Sequence, residues 1–577
     1  MTGRRQRTSR RAGVWRVAVA GAAVVVTAAA LAWALTPRGE SAERASGRAA
    51  AAAPQPEADA PAPQALATAV HALGASAAER TALLELYGAD GVVPLWLASG
   101  ALTSQAREVH AVLWDAARHG LEPADYLLGP VSRPDAGVPA AALAQAEYEV
   151  ALSLGVLRYM RHLHLGRVDP RAVGLRLDTW SERHAFPAVL REAVGEGRTA
   201  AALDALAPPF ALYGQLVAAL VGHRALAGRT DPEVPPFTRA VKPGDAYAGA
   251  HALGVHLAAR GDVVPGDVPP ADSGTYDGAL VAGVQRFQTR HGLTPDGVLG
   301  ARTVAAARVA VAVRVRQIEI ALERLRWLPD LGGRRLIAVN IPMFRLWAWD
   351  SLEASPVPAF STRVIVGRAM RTETPVFVET MDHVIFRPYW NVPPSILRNE
   401  ILPALRRDAS YLTRQQMEVV RGPGDDARPA AVDADTLAAL AAGRVRVRQR
   451  PGPHNALGLV KFMFPNRESV YLHDTPTPSL FARDRRDFSH GCIRVADPSG
   501  LARWVLDGVG GWDGDRIAGA MQAKHSARVD LAAPIDVVLF YLTAAVMPED
   551  GAVHFADDIY GHDAALERAL ARTSAGR

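Results

Sequence analysis

The chain has one cysteine in 577 residues, Cys492. That excludes an intramolecular disulfide and any zinc site built from several thiolates. Avoidance of cysteine suits an oxidising compartment, where a stray thiol is oxidised or mispaired. A thiol kept there is either a small buried apolar residue or a group whose chemistry is needed. Lysine is nearly as scarce. Lys242, Lys461 and Lys524 are the only three among 64 basic residues, which leaves 61 arginines. Six of those arginines lie between Arg4 and Arg16 and by themselves exceed the formal net charge of +5. The remainder is close to neutral, so nothing points to nucleic acid. The length exceeds what one hydrophobic core usually holds, so several domains are expected.

The basic N-terminus, 1–16, is followed by "VAVAGAAVVVTAAALAWAL", Val17 to Leu35, a run of 19 residues without a charge. At about 1.5 Å per helical residue it matches the hydrocarbon core of a bilayer. The basic flank should stay cytoplasmic. The run reads as a transmembrane signal anchor. The alternative is a cleaved signal peptide, since "AWA", Ala32 to Ala34, has the small-x-small form. Either way the working domains are exported. Residues 36–64 are rich in Ala and Pro, lack aromatics, and read as a disordered linker.

Residues 65–240 have a helical grain and read as a helical domain. Within "SLGVLRYMRHLHLGRVDP", Leu154, Leu157, Met160 and Leu163 recur at near-helical spacing before "GRVDP" stops the helix. His162 and His164 read as a partly exposed helix face, because no further ligand has a matching spacing for metal. Residues 241–312 form a smaller helical unit. Leu280, Val284 and Phe287 line one helix face, "HGLTPDGVLG" breaks it, and a second short helix begins near Thr303. The pattern F-Q-x-x-x-G-L-x-x-D-G-x-x-G-x-x-T resembles the type 1 peptidoglycan-binding domain, a three-helix module.

After Arg334 the grain changes to strands. "RLIAVNIPMFRLWAWD", "STRVIVGRA", "HVIFRPYWNVP" and "VKFMFPNRESVYLHDTP" are rich in Val, Ile and aromatics with alternation. They assign 313–545 to a mainly β domain, followed by a C-terminal extension, 546–577. Between the strands, 394–454 is helix-like and then Gly/Pro/Arg-rich, an insertion placed where a lid would sit.

The cysteine lies in "DFSHGCIRV". A thiol needs a base or a positive neighbour to react near neutral pH. His490, two residues before Cys492, shares its face if the segment is extended. His473, 19 residues upstream of Cys492, ends the strand "SVYLH" and can lie beside it if the loop turns back. Spacing leaves both open. Gly491 would admit a substrate close to the backbone, amides of Gly491 and Cys492 could form an oxyanion hole, and Arg494 could anchor a carboxylate.

His473, fifteen residues, Ser489-His490-Gly491-Cys492 and then Arg494 resemble the L,D-transpeptidase (YkuD-type) catalytic domain. The long form, with scaffold, peptidoglycan-binding module and inserted lid, resembles large periplasmic enzymes of Gram-negative bacteria. "PLWLASGALT", "VPPSI", "NALGLVKFMFPN" and "DIYGHD" fit the same group. The resemblance implies a multidomain α+β protein: a mainly β catalytic domain with a helical lid insertion, a three-helix module and a helical scaffold. It implies Cys492 as nucleophile and His473 as general base, oriented by the backbone oxygen of Asp474. His490 would polarise or position the site, and Ser489 and Gly491 would shape it. Arg494 stands where other members carry Asn. Asn455, Tyr471 and Trp390 are candidates to line the groove or to pack beside it.

The implied reaction is cysteine acyl transfer on a tetrapeptide stem, with release of terminal D-Ala and transfer to an amine to give 3→3 cross-links. It needs no metal or organic cofactor. The implied partners are peptidoglycan stem peptides and glycan, the membrane through the anchor, and other proteins of wall synthesis. The implied place is the periplasm. Competing readings are a hydrolase that uses water as acceptor, a zinc hydrolase using His473, His490 and Cys492, and a binding protein whose enzyme domain is dead.

Overall fold

In a computed structural model, the structure describes residues 68–70, 75–87, 94–132, 141–177, 184–230 and 239–575, apart from 371, 423, 425, 426 and 434. The expected basic segment, anchor and linker, 1–64, lie outside the described residues. Among the described residues no helix is long and apolar enough to cross a membrane.

The scaffold is helical, with one short ribbon of β1 (Leu97–Ala98) and β2 (Ala101–Leu102). Its helices include α1 (Ala77–Tyr87), α2 (Ser104–Trp114), α3 (Ala142–Leu165), α4 (Phe186–Gly195), α5 (Thr199–Asp204) and α6 (Ala211–Ala227). The long α3 is buried on all sides from Tyr148 to Leu157, as a helix without a polar stripe must be. The reading of His162 and His164 as a partly exposed face fails for His162 and holds for His164, which is half-buried. His162 is buried with Nδ1 3.1 Å from Tyr126 Oη, and His164 Nδ1 lies 3.2 Å from the Leu206 carbonyl.

The three-helix module follows as α7 (Ala250–Ala259), α8 (Gly278–Arg290) and α9 (Ala301–Ala307). Leu280, Val284 and Phe287 are buried together in its core, as their spacing predicts. Helix α10 (Val311–Leu325) then leads back into the scaffold. Its Ile318, Ala321, Leu322 and Leu325 enter the scaffold core, while Ile320 and the following Trp327 enter the core of the β domain. One helix thus belongs to both cores.

The junction is fixed by a buried charge pair. Glu323 and Arg326 are each 2% exposed. Arg326 Nη1 is 3.0 Å from Glu323 Oε2, and its Nη2 donates to Tyr213 Oη of the scaffold at 3.0 Å. Glu323 Oε1 accepts the backbone N–H groups of Arg167 and Val168, the segment that leaves α3. Gly166, with φ +84°, makes this approach possible. A Cβ there would fall 2.7 Å from Trp327 Nε1 and 2.8 Å from Glu323 Oε1.

The sheet of the β domain has nine strands: β3 (Leu336–Asn340), β4 (Arg345–Trp349), β5 (Phe360–Gly367), β6 (Phe377–Phe386), β11 (Val460–Met463), β12 (Leu472–His473), β13 (Asp487–Ser489), β14 (Ile493–Val495) and β15 (Ala527–Phe540). The order is β13-β5-β14-β12-β11-β6-β15-β3-β4, and β4 also pairs with β5, which closes the sheet on itself. Alternate residues such as Ile337, Val339, Val364, Val366, Val384 and Phe386 fill its interior. After β15 the chain crosses to the scaffold core through Leu542, Ala544 and Val546. It then returns with α11 (His562–Ala575), whose Leu566 and Ala569 pack on the sheet.

The insertion differs from the helical lid expected of it. A helical run over 394–407 is present, with a π turn at Leu397–Ile401. The insertion also carries a four-stranded sheet in the order β7-β10-β8-β9, formed by β7 (Trp390–Asn391), β8 (Met417–Arg421), β9 (Arg428–Pro429) and β10 (Arg446–Gln449). In the Arg-rich stretch Val445 and Val447 alternate with Arg444, Arg446 and Arg448. That period-two pattern puts both valines into a separate core with Ile401, Leu405 and Val419.

The buried pair gives the first prediction. Glu323→Ala leaves the Arg326 charge unpaired in the interior and removes the acceptor for two backbone amides. The expected loss is about 3–5 kcal/mol of unfolding free energy in denaturant titration. An unchanged midpoint would show that the junction does not depend on the pair.

Candidate active site

Strands β12 and β14 run parallel with Leu472 opposite Ile493 and His473 opposite Arg494. Paired residues share a face, and their neighbours take the other. Leu472 and Ile493 are fully buried in the barrel core. Tyr471, His473, Cys492 and Arg494 therefore share the opposite face. This register separates the two histidines that spacing left open. His473 lies on the face of the thiol. His490 is exposed, with Nε2 2.9 Å from Oε1 of Glu400 in the π turn of the insertion.

His473 is 4% exposed, and its Nδ1 bonds the backbone oxygen of Asp474. A carbonyl only accepts, so Nδ1 carries the proton and Nε2 presents a lone pair. The oxygen expected from Asp474 is thus present. The Asp474 carboxylate is used elsewhere, accepting the N–H of Leu459 at 2.8 Å and of Thr475 at 2.7 Å. Burial, and then the charges of Arg494 and Lys461, push the His473 imidazole down to about 3, so it is neutral across the physiological range.

Ser489 is 3% exposed and acts on the backbone of its own motif. Its hydroxyl donates to the Cys492 carbonyl and accepts the Gly491 N–H at 3.2 Å. Gly491 has φ +110°, a conformation that favours glycine. Its amide is committed to Ser489, which corrects the expectation that this N–H helps form an oxyanion hole. Sequence reading missed the residues that hold this loop. Thr374 Oγ1 donates to the Gly491 carbonyl at 2.8 Å, and Thr372 Oγ1 to the Ser489 carbonyl at 3.1 Å. Tyr560, from "DIYGHD", accepts the Thr374 N–H at 3.2 Å and donates to the Gly367 carbonyl at 2.6 Å.

Of the two alternatives left open for Asn455, lining the groove or packing beside it, the structure shows packing. It is fully buried, its Nδ2 donates to the Pro388 and Arg450 carbonyls, and its Oδ1 accepts the Leu457 N–H at 2.8 Å. Its side chain ties down the root of the insertion and has nothing left to offer a ligand. Trp390 packs on the core of the insertion. Tyr471 does reach the site, with its ring centroid 5.9 Å from that of His473. Arg494 is half-buried, and its Nε has no hydrogen-bond partner among the described residues.

Lys461 is a further group that sequence reading missed. It lies opposite His473 on β11, and its Nζ sits 3.8 Å from the Tyr471 ring centroid. Its signal in the sequence is rarity, as one of three lysines. Lys461, Ser469 and Tyr471 form one wall of a cleft of 840 Å³, and Asn391, Pro394 and Arg398 form part of the other. Cys492 Sγ is 3.7 Å from the Ser469 carbonyl, at the edge of that cleft. Burial pushes the thiol above its usual range, while hydrogen bonds from Tyr471 and the charges of Lys461 and Arg494 pull it back. The resting site is therefore a neutral thiol beside a neutral imidazole.

With that geometry in view, the comparisons are specific. Residues 334–517 match the L,D-transpeptidase catalytic domain, residues 81–220 the scaffold domain, and residues 255–307 the "Putative peptidoglycan binding domain". The chain carries an L,D-transpeptidase catalytic domain joined to those two accessory domains. A curated protein of Haemophilus influenzae, named "Putative L,D-transpeptidase", is 33% identical over 241 residues, 42% of this chain and 47% of that protein. The chain thus spans about half the length of this curated relative. A solved L,D-transpeptidase structure from Xylanimonas cellulosilytica covers 53% of this chain and 100% of its own, at 16% identity. Its TM-score of 0.17 is too low to bear on the fold.

A neutral thiol next to a neutral imidazole has a distinct pH signature. Alkylation of Cys492 by iodoacetamide is expected to rise with pH without a plateau below about pH 8.5, the ordinary cysteine value. Lys461→Met removes a charge that favours the thiolate, so its profile moves to higher pH, and Lys461→Arg restores it. A plateau near neutral pH would mean that a preformed thiolate–imidazolium pair is present.

Proposed function

We propose that the chain is an exported L,D-transpeptidase of peptidoglycan that works through Cys492 and His473. The observation that carries this reading is their common face on two paired strands, with the Asp474 carbonyl fixing the His473 tautomer. Sγ attacks the carbonyl of the third residue of a tetrapeptide stem as its proton passes to His473 Nε2. The proton then goes to the departing amine of D-Ala, and a thioester remains. An amine of a second stem attacks the thioester, His473 takes the amine proton, and Sγ recovers it as the 3→3 amide forms. The cations of Lys461 and Arg494 stabilise the charge that develops on sulfur and on the carbonyl oxygen. The Cys492 N–H is the motif amide left to serve as oxyanion donor. Arg494 is the candidate to meet a substrate carboxylate, through guanidinium atoms other than its solvent-shielded Nε.

The insertion forms the far wall of the cleft, so it can exclude water and favour an amine acceptor over hydrolysis. A zinc hydrolase is less well supported. His490 is turned to Glu400, and the described residues contain no group of three His, Cys, Asp or Glu side chains that could hold a metal. Export to the periplasm follows from the substrate, and anchoring rests on the sequence of 17–35 alone.

Mass analysis of muropeptides made from purified sacculi reads donor, acceptor and linkage together. The expected product is a 3→3 linked dimer with loss of D-Ala. Cys492→Ala and Cys492→Ser are both expected to be inactive, and only tetrapeptide hydrolysis by the intact enzyme would turn the reading to a carboxypeptidase. His473→Ala is expected to slow acylation by about 10²-fold or more, and more than His490→Ala does. The reverse order would make His490 the base.

A further inference from the structure

A second cavity, of 510 Å³, lies where the three-helix module meets the catalytic domain. The module is docked there by Thr294 Oγ1, 2.5 Å from Asp484 Oδ1, and by an ion pair between Arg302 and Asp484. Asp484 stands a few residues before the motif that holds Cys492. The cavity is lined by six arginines: Arg302, Arg345, Arg363, Arg483, Arg485 and Arg486.

Three of these are set against one another. Arg345 and Arg363 are direct cross-strand partners on β4 and β5. Like charges placed opposite each other destabilise a sheet. Arg486 lies beside them, its Nη2 3.3 Å from the Phe344 carbonyl and its Nε 3.2 Å from that of Val364. Burial, followed by the charges of Arg363 and Arg345, pushes the Arg486 guanidinium down to about 10. Protein groups compensate only in part. Glu549 approaches Arg345 at 3.5 Å, and Arg363 donates to the Phe481 carbonyl at 3.1 Å. Asp550 and Asp557 also line the cavity. Asp550 is paired with His554, and Asp557 is exposed. Arg302, Arg345 and Arg485 are thus met by the carboxylates of Asp484, Glu549 and Asp487, while Arg363, Arg483 and Arg486 line the cavity with no ion pair among the described residues, near an acidic rim of Asp550 and Asp557.

Planar guanidinium groups recognise carboxylates by paired hydrogen bonds, and a group of them suits a ligand with more than one. A stem peptide containing a diamino acid carries several carboxylates and one free amine. We propose that this cavity is a second binding site for such a stem, with the arginines taking its carboxylates and the acidic rim its amine. It would hold a wall strand between the module and the catalytic loop, apart from the cleft beside Cys492. This rests on peptidoglycan being the substrate.

The test uses the full chain with Cys492 alkylated, so that the donor cannot react. Titration calorimetry with a purified disaccharide-tetrapeptide is expected to show saturable binding. The same fragment with its carboxylates amidated is expected not to bind. Arg363→Gln should bind roughly tenfold more weakly, the loss of one charge-assisted contact, and should melt no lower than the parent because a repulsion is relieved. Arg483→Gln, at an exposed position, should weaken binding in the same direction and is the second variant if the first folds poorly. Absence of binding, equal affinity in both variants, or saturable binding of inorganic phosphate without binding of the fragment would overturn the proposal. Acylation of the unmodified enzyme by a tetrapeptide is read separately, so loss of the second site and loss of the transpeptidase reading are distinct results.

Discussion

The parallel pairing of β12 with β14 is the contact on which the candidate site depends. It is a ladder of two residue pairs between segments joined by a long loop. A short parallel pair is weak by itself, so its neighbours must enforce the register. Leu472 and Ile493 do this from below, because a slip by one residue would turn both out of the barrel core. On the flanks, β11 fixes β12 and β5 fixes β14. The face opposite the core inherits that register and carries His473, Cys492, Tyr471 and Arg494. Chemistry that requires placement within a fraction of an ångström is thus secured by apolar burial on the other side of the same strands.

Electrostatics then set the protonation states. Burial disfavours the charged forms of both Cys492 and His473, and the cations near them act on the two in opposite senses. Lys461 and Arg494 keep His473 neutral and ease the ionisation of Cys492. A neutral imidazole can accept a proton, and a site with cations but a neutral thiol gains most when negative charge appears during reaction. The thiol is then protected from adventitious oxidation at rest, since the thiolate is the oxidisable form. That fits a single cysteine kept in a chain proposed to be exported.

Much of this was legible in the sequence, and the missing parts share a cause. The helix face of Leu280, Val284 and Phe287, the strands after Arg334 and the motif around Cys492 are local patterns, and local patterns survive in one dimension. For Asn455 the sequence left groove lining and packing both open. Its saturation by Pro388, Arg450 and Leu457 is a matter of three-dimensional closure. His162 looked partly exposed because a polar residue on a helix usually is, yet it is buried against Tyr126. The sheet of the insertion was masked by arginines that fill the alternate positions of β10 and read as loop. Thr372 and Thr374, which hold the motif loop, lie more than a hundred residues away from it and carry no signature.

The insertion bears on mechanism through how it is attached. Its sheet begins on Trp390–Asn391, before the inserted segment, and its return strand β10 pairs with that same β7. Asn455 ties the exit of the segment to Pro388 at its entrance. With a separate core and a closed root, the unit can move only as a body about that root and not as a loose flap. Across the cleft it meets the motif through the contact of Glu400 with His490, and both side chains are about half exposed. Such a surface pair contributes about 0–1 kcal/mol. The strong interactions therefore lie inside the insertion and at its root, and the weak one lies across the cleft. A body built in this way would open at little cost and close without refolding, as the proposed transfer between two wall strands requires.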